Sequence, residues 1–221
     1  MADAGLSKKE NFDRISIVTN LFAPKDRKYQ FSQNGDESLP KWPRCSFFGV
    51  FDGHNGSECS EFLRDNLHRY IIEQECFPED PKQAFFLGIL EADRDFVESL
   101  TSEDDSSGSS INLALFVNDH CFIANVGDSR SILSMFGSKN IISLSQEHTV
   151  KNASEVTRVL LAGGQIADQC ILPGNSEVSR SVGLAHSKFE NDAVIISEPE
   201  IQSFKVSPDH DFIVLGSPGL F

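Results

Sequence analysis

The chain lacks any long apolar run, and this bears on where the protein works. Within its 221 residues, no apolar stretch approaches the ~18 residues that a membrane-spanning helix needs. The opening segment, "MADAGLSKKENF", contains neither the apolar core of a signal peptide nor an Arg-rich amphipathic presequence. We therefore expect an intracellular protein, in the cytoplasm or the nucleus, with no membrane partner.

Basic residues are also scarce. The chain has 19 Lys and Arg against 33 Asp and Glu, which gives a net charge of −14. Sequence-independent binding to nucleic acid needs clustered Lys and Arg side chains against the phosphates. The composition therefore disfavours a nucleic-acid partner. The acidity is compatible with a cation site built from carboxylates, although acidity alone does not predict one.

Cysteine is sparse and scattered. None of the five cysteines belongs to a Cys-X-X-Cys pair, and their spacing is irregular. Such spacing indicates neither a zinc site nor a disulfide framework. We therefore expect free thiols at all five positions, which are Cys45, Cys59, Cys76, Cys121 and Cys170.

The apolar periodicity predicts strands in pairs, interrupted by two consecutive long helices. Helical spacing covers 57–73 and 81–100, and returns over 152–164, where Gly163 and Gly164 favour a helix end. The triplet Asn118-Asp119-His120 is typical of a hairpin turn. The predicted strands are 15–22, 45–51, 111–117, 121–126, 130–136, 140–145, 193–201 and 211–221. This order, without regular strand–helix alternation, predicts an α+β domain with antiparallel sheet.

One apolar strand ends in an unusual way. "FFGVFDGHNG" (47–56) places Asp, Gly and His directly after the strand, whereas an Asp-Gly pair alone is most often a simple turn. Five further blocks follow in order along the chain: "SGSS", "ANVGDSRSIL", "LSQEHTV" with the Glu, Arg and "AGG" that follow it, "EVSRSVG" and "IISEPEI". Together these blocks resemble the metal-dependent type 2C protein serine/threonine phosphatases. The resemblance runs from about Asn11 to the last residue.

The resemblance implies a β-sandwich of two antiparallel sheets flanked by helices, formed here by a single domain over 1–221. It also implies two Mg²⁺ or Mn²⁺ ions in a cleft, holding a water that attacks phosphoserine or phosphothreonine. By the same resemblance, Asp52 is the bridging metal ligand, the Gly53 carbonyl is a further ligand, and Asp128 helps to bind a third ion. His54 is the general acid, and Lys8 is the basic residue expected to bind phosphate.

Several residues depart from the family pattern. In "ENFDR", Phe12 stands at a ligand position normally held by Glu or Gln, although Asp13 is kept. In "GSPGLF", Pro218 replaces a metal-binding Asp, and the Gly-Asp after "SRxxG" reads Gly183-Leu184. The sequence ends before the family's C-terminal strands and its final Asp-Asn metal motif.

These substitutions reduce the number of carboxylates available to bind metal ions. Two dications ~4 Å apart repel each other by on the order of 16 kcal/mol at an effective dielectric of 20, and only clustered anionic ligands offset that repulsion. A complete two-metal centre is therefore not expected. One alternative remains: Glu10 lies two residues before Phe12 and would share its face on a strand, so a shifted register would recruit its carboxylate.

The sequence leaves the function open between different classes. The first is a catalytically impaired phosphatase-like protein that acts as an adaptor or regulator in phosphorylation signalling, bound to a phosphoprotein or a kinase. The alternative is an active Mg²⁺- or Mn²⁺-dependent protein serine/threonine phosphatase. A third is a truncated product without a stable fold, because missing strands would leave sheet edges exposed. Whether the protein is an enzyme is thus not decided by its sequence.

Overall fold

The structure is a computed structural model that describes residues 10–29, 40–100, 106–137, 140–172, 175–185, 188 and 193–221. The helices are α1 (Glu58–Ile72), α2 (Pro81–Ser99) and α3 (Ala153–Leu161), and a short 3₁₀ turn covers Pro218–Leu220. The strands are β1 (Arg14–Val18), β2 (Cys45–His54), β3 (Gly108–Val117), β4 (His120–Val126), β5 (Arg130–Met135), β6 (Ile141–Ser143), β7 (Gln165–Ala167), β8 (Cys170–Leu172), β9 (Val182–Gly183), β10 (Glu200–Lys205) and β11 (His210–Gly216).

The larger sheet is antiparallel and has β3 at its centre. Its strands run in the order β1-β2-β3-β4-β10, and the two-residue β9 adds to the beginning of β3. Strands β3 and β4 form a tight hairpin in which Val117 pairs with His120 and Asn118 adopts a positive φ of 54°. The hairpin predicted from Asn118-Asp119-His120 is confirmed. The register of β2 against β3 matters most for the site, because it carries the Asp-Gly-His sequence.

Helices α1 and α2 pack on one face of the larger sheet. Pro81 occupies the first turn of α2, and the Asp80 carboxylate caps it by accepting a hydrogen bond from the Gln83 amide at 3.1 Å. Apolar side chains at helical spacing close the layer with no exposed area, among them Leu63, Leu67, Phe85 and Ile89 against Phe47 and Phe51 of β2. None of the three described α-helices is long and apolar enough to cross a membrane.

The second sheet lies on the opposite face of the larger one. It contains three antiparallel strands in the order β11-β5-β6. Apolar side chains from the two sheets meet between them, including Ala114, Cys121, Ile123, Leu133, Leu144, Ile213 and Leu215. Two antiparallel sheets with helices against them form the predicted α+β sandwich, so the fold prediction is confirmed.

The strand predicted over 193–201 is wrong for most of its length. Strand β10 begins only at Glu200 and continues to Lys205. The apolar residues before it are buried differently: Val194 and Ile195 pack beside Val159 of α3, and the Ala193 and Val194 carbonyls accept from Arg158. The apolar side chains of this run are buried against α3, and its carbonyls are bonded by Arg158. In the sequence, such a run has the same pattern as a buried strand. The β7–β8 hairpin, whose turn is polar, was not predicted.

Candidate active site

The Asp-Gly-His sequence occupies the last three positions of β2. Because β2 pairs with β3 along its whole length, Asp52 lies opposite Ser110, Gly53 opposite Ser109, and His54 opposite Gly108. The loop between β4 and β5 brings Asp128 to the same end of the sandwich, and the turn after β11 brings Pro218. All of these positions except Ser109 and Gly108 line a single cleft of about 420 Å³.

Ser110 links the two aspartates of the cleft. It pairs with Asp52 across the sheet, and its hydroxyl donates a hydrogen bond to Asp128 Oδ1 at 3.0 Å. The preceding Gly127 has a φ of +96°, and a Cβ there would lie 2.1 Å from Ser110 Oγ. Glycine is therefore required next to Asp128, both for its backbone conformation and for the close approach of Ser110.

Buried side chains hold both backbone groups of Gly127. His148 Nδ1 accepts from the Gly127 amide at 3.1 Å, and Asn125 Nδ2 donates to the Gly127 carbonyl at 3.2 Å. Asn125 also donates to the Gln146 carbonyl at 2.9 Å. A turn fixed on both sides in this way gives the Asp128 carboxylate a defined direction.

The imidazole of His54 contacts a residue from a distant part of the chain. Its Nε2 lies 3.1 Å from Ser181 Oγ, although the two residues are 127 positions apart. Ser181 is buried directly before β9 and was not predicted as a site residue. Leu184, just after β9, lines the cleft with a positive φ of 53°. This apolar side chain stands where the family pattern has an Asp.

The segment before β1 packs against the Asp-Gly-His turn. Ser60 Oγ donates to the Phe12 carbonyl at 2.7 Å, and a Cβ on Gly53 would lie 2.6 Å from that carbonyl oxygen. The Asp13 carboxylate accepts a hydrogen bond from Ser217, beside Pro218, at 3.1 Å. Phe12 thus lies against the turn, and Pro218 lines the same cleft as Asp52, Gly53 and His54.

One of the predicted contributions is not found in this arrangement, and a second is not tested by it. Strand β1 starts at Arg14, so Glu10 lies in an exposed bend, and the alternative that placed it on a strand beside Phe12 is wrong. Lys8, the predicted phosphate-binding residue, lies outside the described residues. The roles assigned to Asp52, Gly53, His54 and Asp128 stay predictions.

The described lining of the cleft is anionic. It includes the carboxylates of Asp52, Asp128 and Glu177 and contains neither Lys nor Arg. Pro218 offers no side-chain ligand. Across the described residues, no group of three or more His, Cys, Asp or Glu side chains is placed to hold a metal ion. The three carboxylates that the described residues supply along the cleft do not by themselves offset the mutual repulsion of two dications.

Comparison with known proteins decides the family. The model of the protein phosphatase 2C family matches residues 27–221. The chain belongs to the protein phosphatase 2C family. It is 33% identical over 190 residues to "Probable protein phosphatase 2C T23F11.1" of Caenorhabditis elegans, covering 83% of this chain and 52% of that protein. It is 35% identical over 178 residues to "Probable protein phosphatase 2C 27" of Arabidopsis thaliana, covering 80% of this chain and 46% of that protein. The chain thus spans about half the length of these relatives.

Solved structures show the same fold at low sequence identity. The serine-threonine phosphatase 2C of Toxoplasma gondii superimposes with a TM-score of 0.68 at 19% identity, over 92% of this chain and 76% of that one. A sex-determining protein of C. elegans gives a TM-score of 0.68 at 17% identity, over 94% of this chain and 52% of that one. The sandwich of protein phosphatase 2C is therefore present here.

A buried ion cluster lies next to the cleft of this protein phosphatase 2C domain, because it includes the residues that directly follow Val178 of the lining. Glu155 of α3 is only 3% exposed and bonds both Arg180, at 2.6 Å, and Arg158, at 3.1 Å. Ser179 adds a hydroxyl donor at 2.7 Å. Burial alone would raise the pKa of Glu155, but the hydrogen bonds from Arg180 and Ser179 outweigh it and hold that pKa at about 2.

His148 connects this cluster with the Gly127 turn. The Ser179 amide donates to the His148 carbonyl at 2.9 Å, while the imidazole accepts from Gly127. Burial, together with the nearby positive charge of Arg180, lowers the pKa of His148 to about 4. The ring is therefore neutral at physiological pH, as its role of acceptor requires.

Sequence reasoning missed several residues of the cleft. Ser110 belongs to the "SGSS" block, which was noted as part of the family pattern but given no role. Glu177 and Ser181 belong to the "EVSRSVG" block and Leu184 was noted as a departure from the family pattern, but only the folded chain brings them close to the end of β2.

Proposed function

We propose that this protein phosphatase 2C chain is catalytically impaired and acts as an adaptor or regulator in phosphorylation signalling. The donor set of the cleft carries this proposal. Asp52 and Asp128 flank Ser110, but the neighbouring positions hold Phe12 and Pro218, neither of which has a side-chain ligand for a hard cation.

The chemistry explains why these two positions matter. The relatives' reaction class depends on metal-bound hydroxide, which requires an ion that lowers the pKa of water from 15.7 towards ~7. An ion that lacks carboxylate ligands keeps its own hydration shell and leaves the site readily. Hydrolysis by this chain is therefore expected to be far slower than by a member with the complete ligand set.

Partner recognition follows from the charge of the cleft. Without bound cations, the carboxylates of Asp52, Asp128 and Glu177 repel a phosphate group. We infer that a phosphoprotein or kinase partner is held by the protein surface around the cleft, and not by its phosphate alone. Neither nucleic acid nor a membrane is proposed as a partner.

An active phosphatase is the second candidate. It is favoured by the placement of Asp52, His54 and Asp128 along one cleft and by relatives named as probable phosphatases. In that case one or two Mg²⁺ or Mn²⁺ ions would be bound with the Gly53 carbonyl and ligands that this chain supplies elsewhere.

Hydrolysis of p-nitrophenyl phosphate and of a phosphothreonine peptide at millimolar Mn²⁺ separates the two candidates. The chain and its Asp52→Ala variant should both be nearly inactive, beside a family member with all its ligands as positive control. Robust Mn²⁺-dependent turnover that Asp52→Ala abolishes would return the protein to the catalytic class. The adaptor role predicts that a bound kinase or phosphoprotein is retained by the Asp52→Ala variant.

A further inference from the structure

A nearly buried ion pair lies outside the cleft and joins two distant parts of the chain. Lys188 Nζ contacts both carboxylate oxygens of Asp93, at 2.6 and 2.7 Å. The two side chains are only 12% and 13% exposed. Asp93 belongs to α2, 95 positions earlier in the sequence. Neither residue lines the cleft.

Both members of the pair also bind the backbone around β9. Asp93 Oδ1 accepts from the Gly183 amide at 2.8 Å, and Lys188 Nζ donates to the Ser181 carbonyl at 3.2 Å. The pair therefore holds the residues immediately before and after Val182. Its charges and hydrogen bonds are directed at one short stretch of main chain.

Other main-chain support for this stretch is short: the Ser181 amide donates to the Ile196 carbonyl at 2.9 Å, and the sheet adds a ladder of two residues. Strand β9 has only two residues, and its ladder with β3 consists of Val182 opposite Ser109 and Gly183 opposite Gly108. The Gly183 backbone has a φ of +76°, and Leu184 follows at +53°. Two consecutive left-handed residues, one at the end of this short strand and one directly after it, need fixed partners, and Asp93 provides one of them.

The constrained stretch carries Ser181, which contacts His54. Ser181 Oγ lies 3.1 Å from His54 Nε2 and also within hydrogen-bond distance of the Val182 carbonyl, at 2.9 Å. A displacement of Ser181 away from the imidazole by a few tenths of an ångström would lengthen the distance from Ser181 Oγ to His54 Nε2 beyond the normal hydrogen-bond range.

We propose that Asp93 and Lys188 are positioning residues that hold the Ser181 hydroxyl against His54. Burial of an ion pair costs desolvation free energy, so it contributes little net stability unless its geometry is well satisfied. Here every bond of the pair is directed to its partner or to the β9 stretch, which couples α2 to the cleft. The proposal takes the cleft of the proposed function as its site, but it holds whether that cleft hydrolyses phosphate or not.

The ring nitrogens of His54 report this coupling without any activity measurement. The readout is the ¹⁵N resonances of the imidazole, recorded for every variant at the same pH. Among the six histidines of the chain, His54 is assigned from the spectrum of His54→Gln. The Ser181→Ala variant gives the resonances expected when the hydroxyl contact is lost.

The decisive variant is Asp93→Asn with Lys188→Met, which removes both charges and so leaves the net charge unchanged. We expect it to shift the His54 ring nitrogens most of the way to their positions in Ser181→Ala. Adding Ser181→Ala to the double variant should produce almost no further shift. A matched control is Arg64→Met with Asp65→Asn, which removes the exposed pair on α1 at 2.7 Å and should leave His54 unchanged.

Unchanged His54 resonances in the folded double variant would overturn the proposal. It would also be overturned if the shift in the triple variant equalled the sum of the shifts in the double variant and in Ser181→Ala. Should the double variant not fold, Asp93→Glu provides the second test, since it keeps the charge and lengthens the side chain by one methylene. A shift of His54 in the same direction supports positioning, and a folded Asp93→Glu variant with wild-type resonances contradicts it. These results do not depend on turnover, so they are distinct from failure of the proposed function.

Discussion

The hydroxyl of Ser217 donates a hydrogen bond to the carboxylate of Asp13 at 3.1 Å, across 204 positions of the sequence. The acidic residue that the first strand motif retains is thus bonded to the residue directly before Pro218. The family pattern has metal ligands at positions 12 and 218. This bond joins the residue after position 12 to the residue before position 218, and so holds the two segments together. Restoring a ligand at either position would therefore place it near the cleft.

Metal affinity provides the first prediction. Phe12→Glu with Pro218→Asp should raise the affinity for Mn²⁺ at least tenfold, about 1.4 kcal/mol, because two carboxylates then join Asp52 at the cleft. Calorimetric titration measures this directly. The neutral pair Phe12→Gln with Pro218→Asn is the matched control and should gain much less. An equal gain in both would show that charge at these positions does not act on the ion.

Removal of the Glu155 charge should strongly destabilise the fold. Glu155→Gln leaves Arg158 and Arg180 without their common carboxylate, and breaking a buried ion cluster costs about 3–5 kcal/mol. Urea unfolding followed by circular dichroism gives the free energy of unfolding. The exposed Glu98 of α2 supplies the control, since Glu98→Gln should change it by less than about 0.5 kcal/mol. Similar effects of both changes would argue against the cluster.

The free energy of unfolding should decrease at acidic pH because His148 is neutral in the folded protein. Its folded pKa of about 4 lies below the unfolded value of ~6.5, so the unfolded chain binds the proton first and stability falls as the pH drops below ~6.5. The full loss, reached below pH 4, is on the order of 3 kcal/mol.

A substitution isolates this contribution. His148→Asn keeps an acceptor for the Gly127 amide without a titrating ring, so its unfolding free energy should vary less between pH 6.5 and 4. The exposed His120 serves for comparison, and His120→Asn should keep the wild-type slope. Equal slopes for the wild type and His148→Asn would exclude His148 as the source.

Two glycines with positive φ separate backbone strain from lack of space. Gly127→Ala places a Cβ 2.1 Å from Ser110 Oγ and should cost about 2–5 kcal/mol, while Gly137→Ala meets nothing within 4 Å and should cost about 1–2 kcal/mol. Thermal unfolding of both variants gives the comparison. If the two variants are equally stable, Ser110 does not restrict the position before Asp128.

How far the sequence predicts this molecule depends on whether the signal is local. Helices α1 and α2 begin and end within one or two residues of the predicted ranges, because their buried side chains recur at helical spacing. The apolar run at 193–199 was misread because its burial comes from α3 and Arg158, which a local pattern does not reveal.

The candidate site shows the same division. Asp52, Gly53, His54 and Asp128 lie in short motifs and were located directly. The contact between His54 and Ser181, and the pair of Asp93 and Lys188 behind it, join segments about a hundred positions apart. No periodicity or spacing encodes such contacts, because they form only when the folded chain brings β9 beside β3 and Lys188 beside α2.

The central position of β3 has a consequence for how this family changes over time. One edge of the cleft is set by the hydrogen-bond ladder of β3 with β2 and β9, whereas Phe12 and Pro218 lie in segments outside any strand. Substitutions in those segments therefore alter the chemistry of the cleft and leave its framework intact. Catalysis can therefore be lost through substitutions in these segments while the fold is retained.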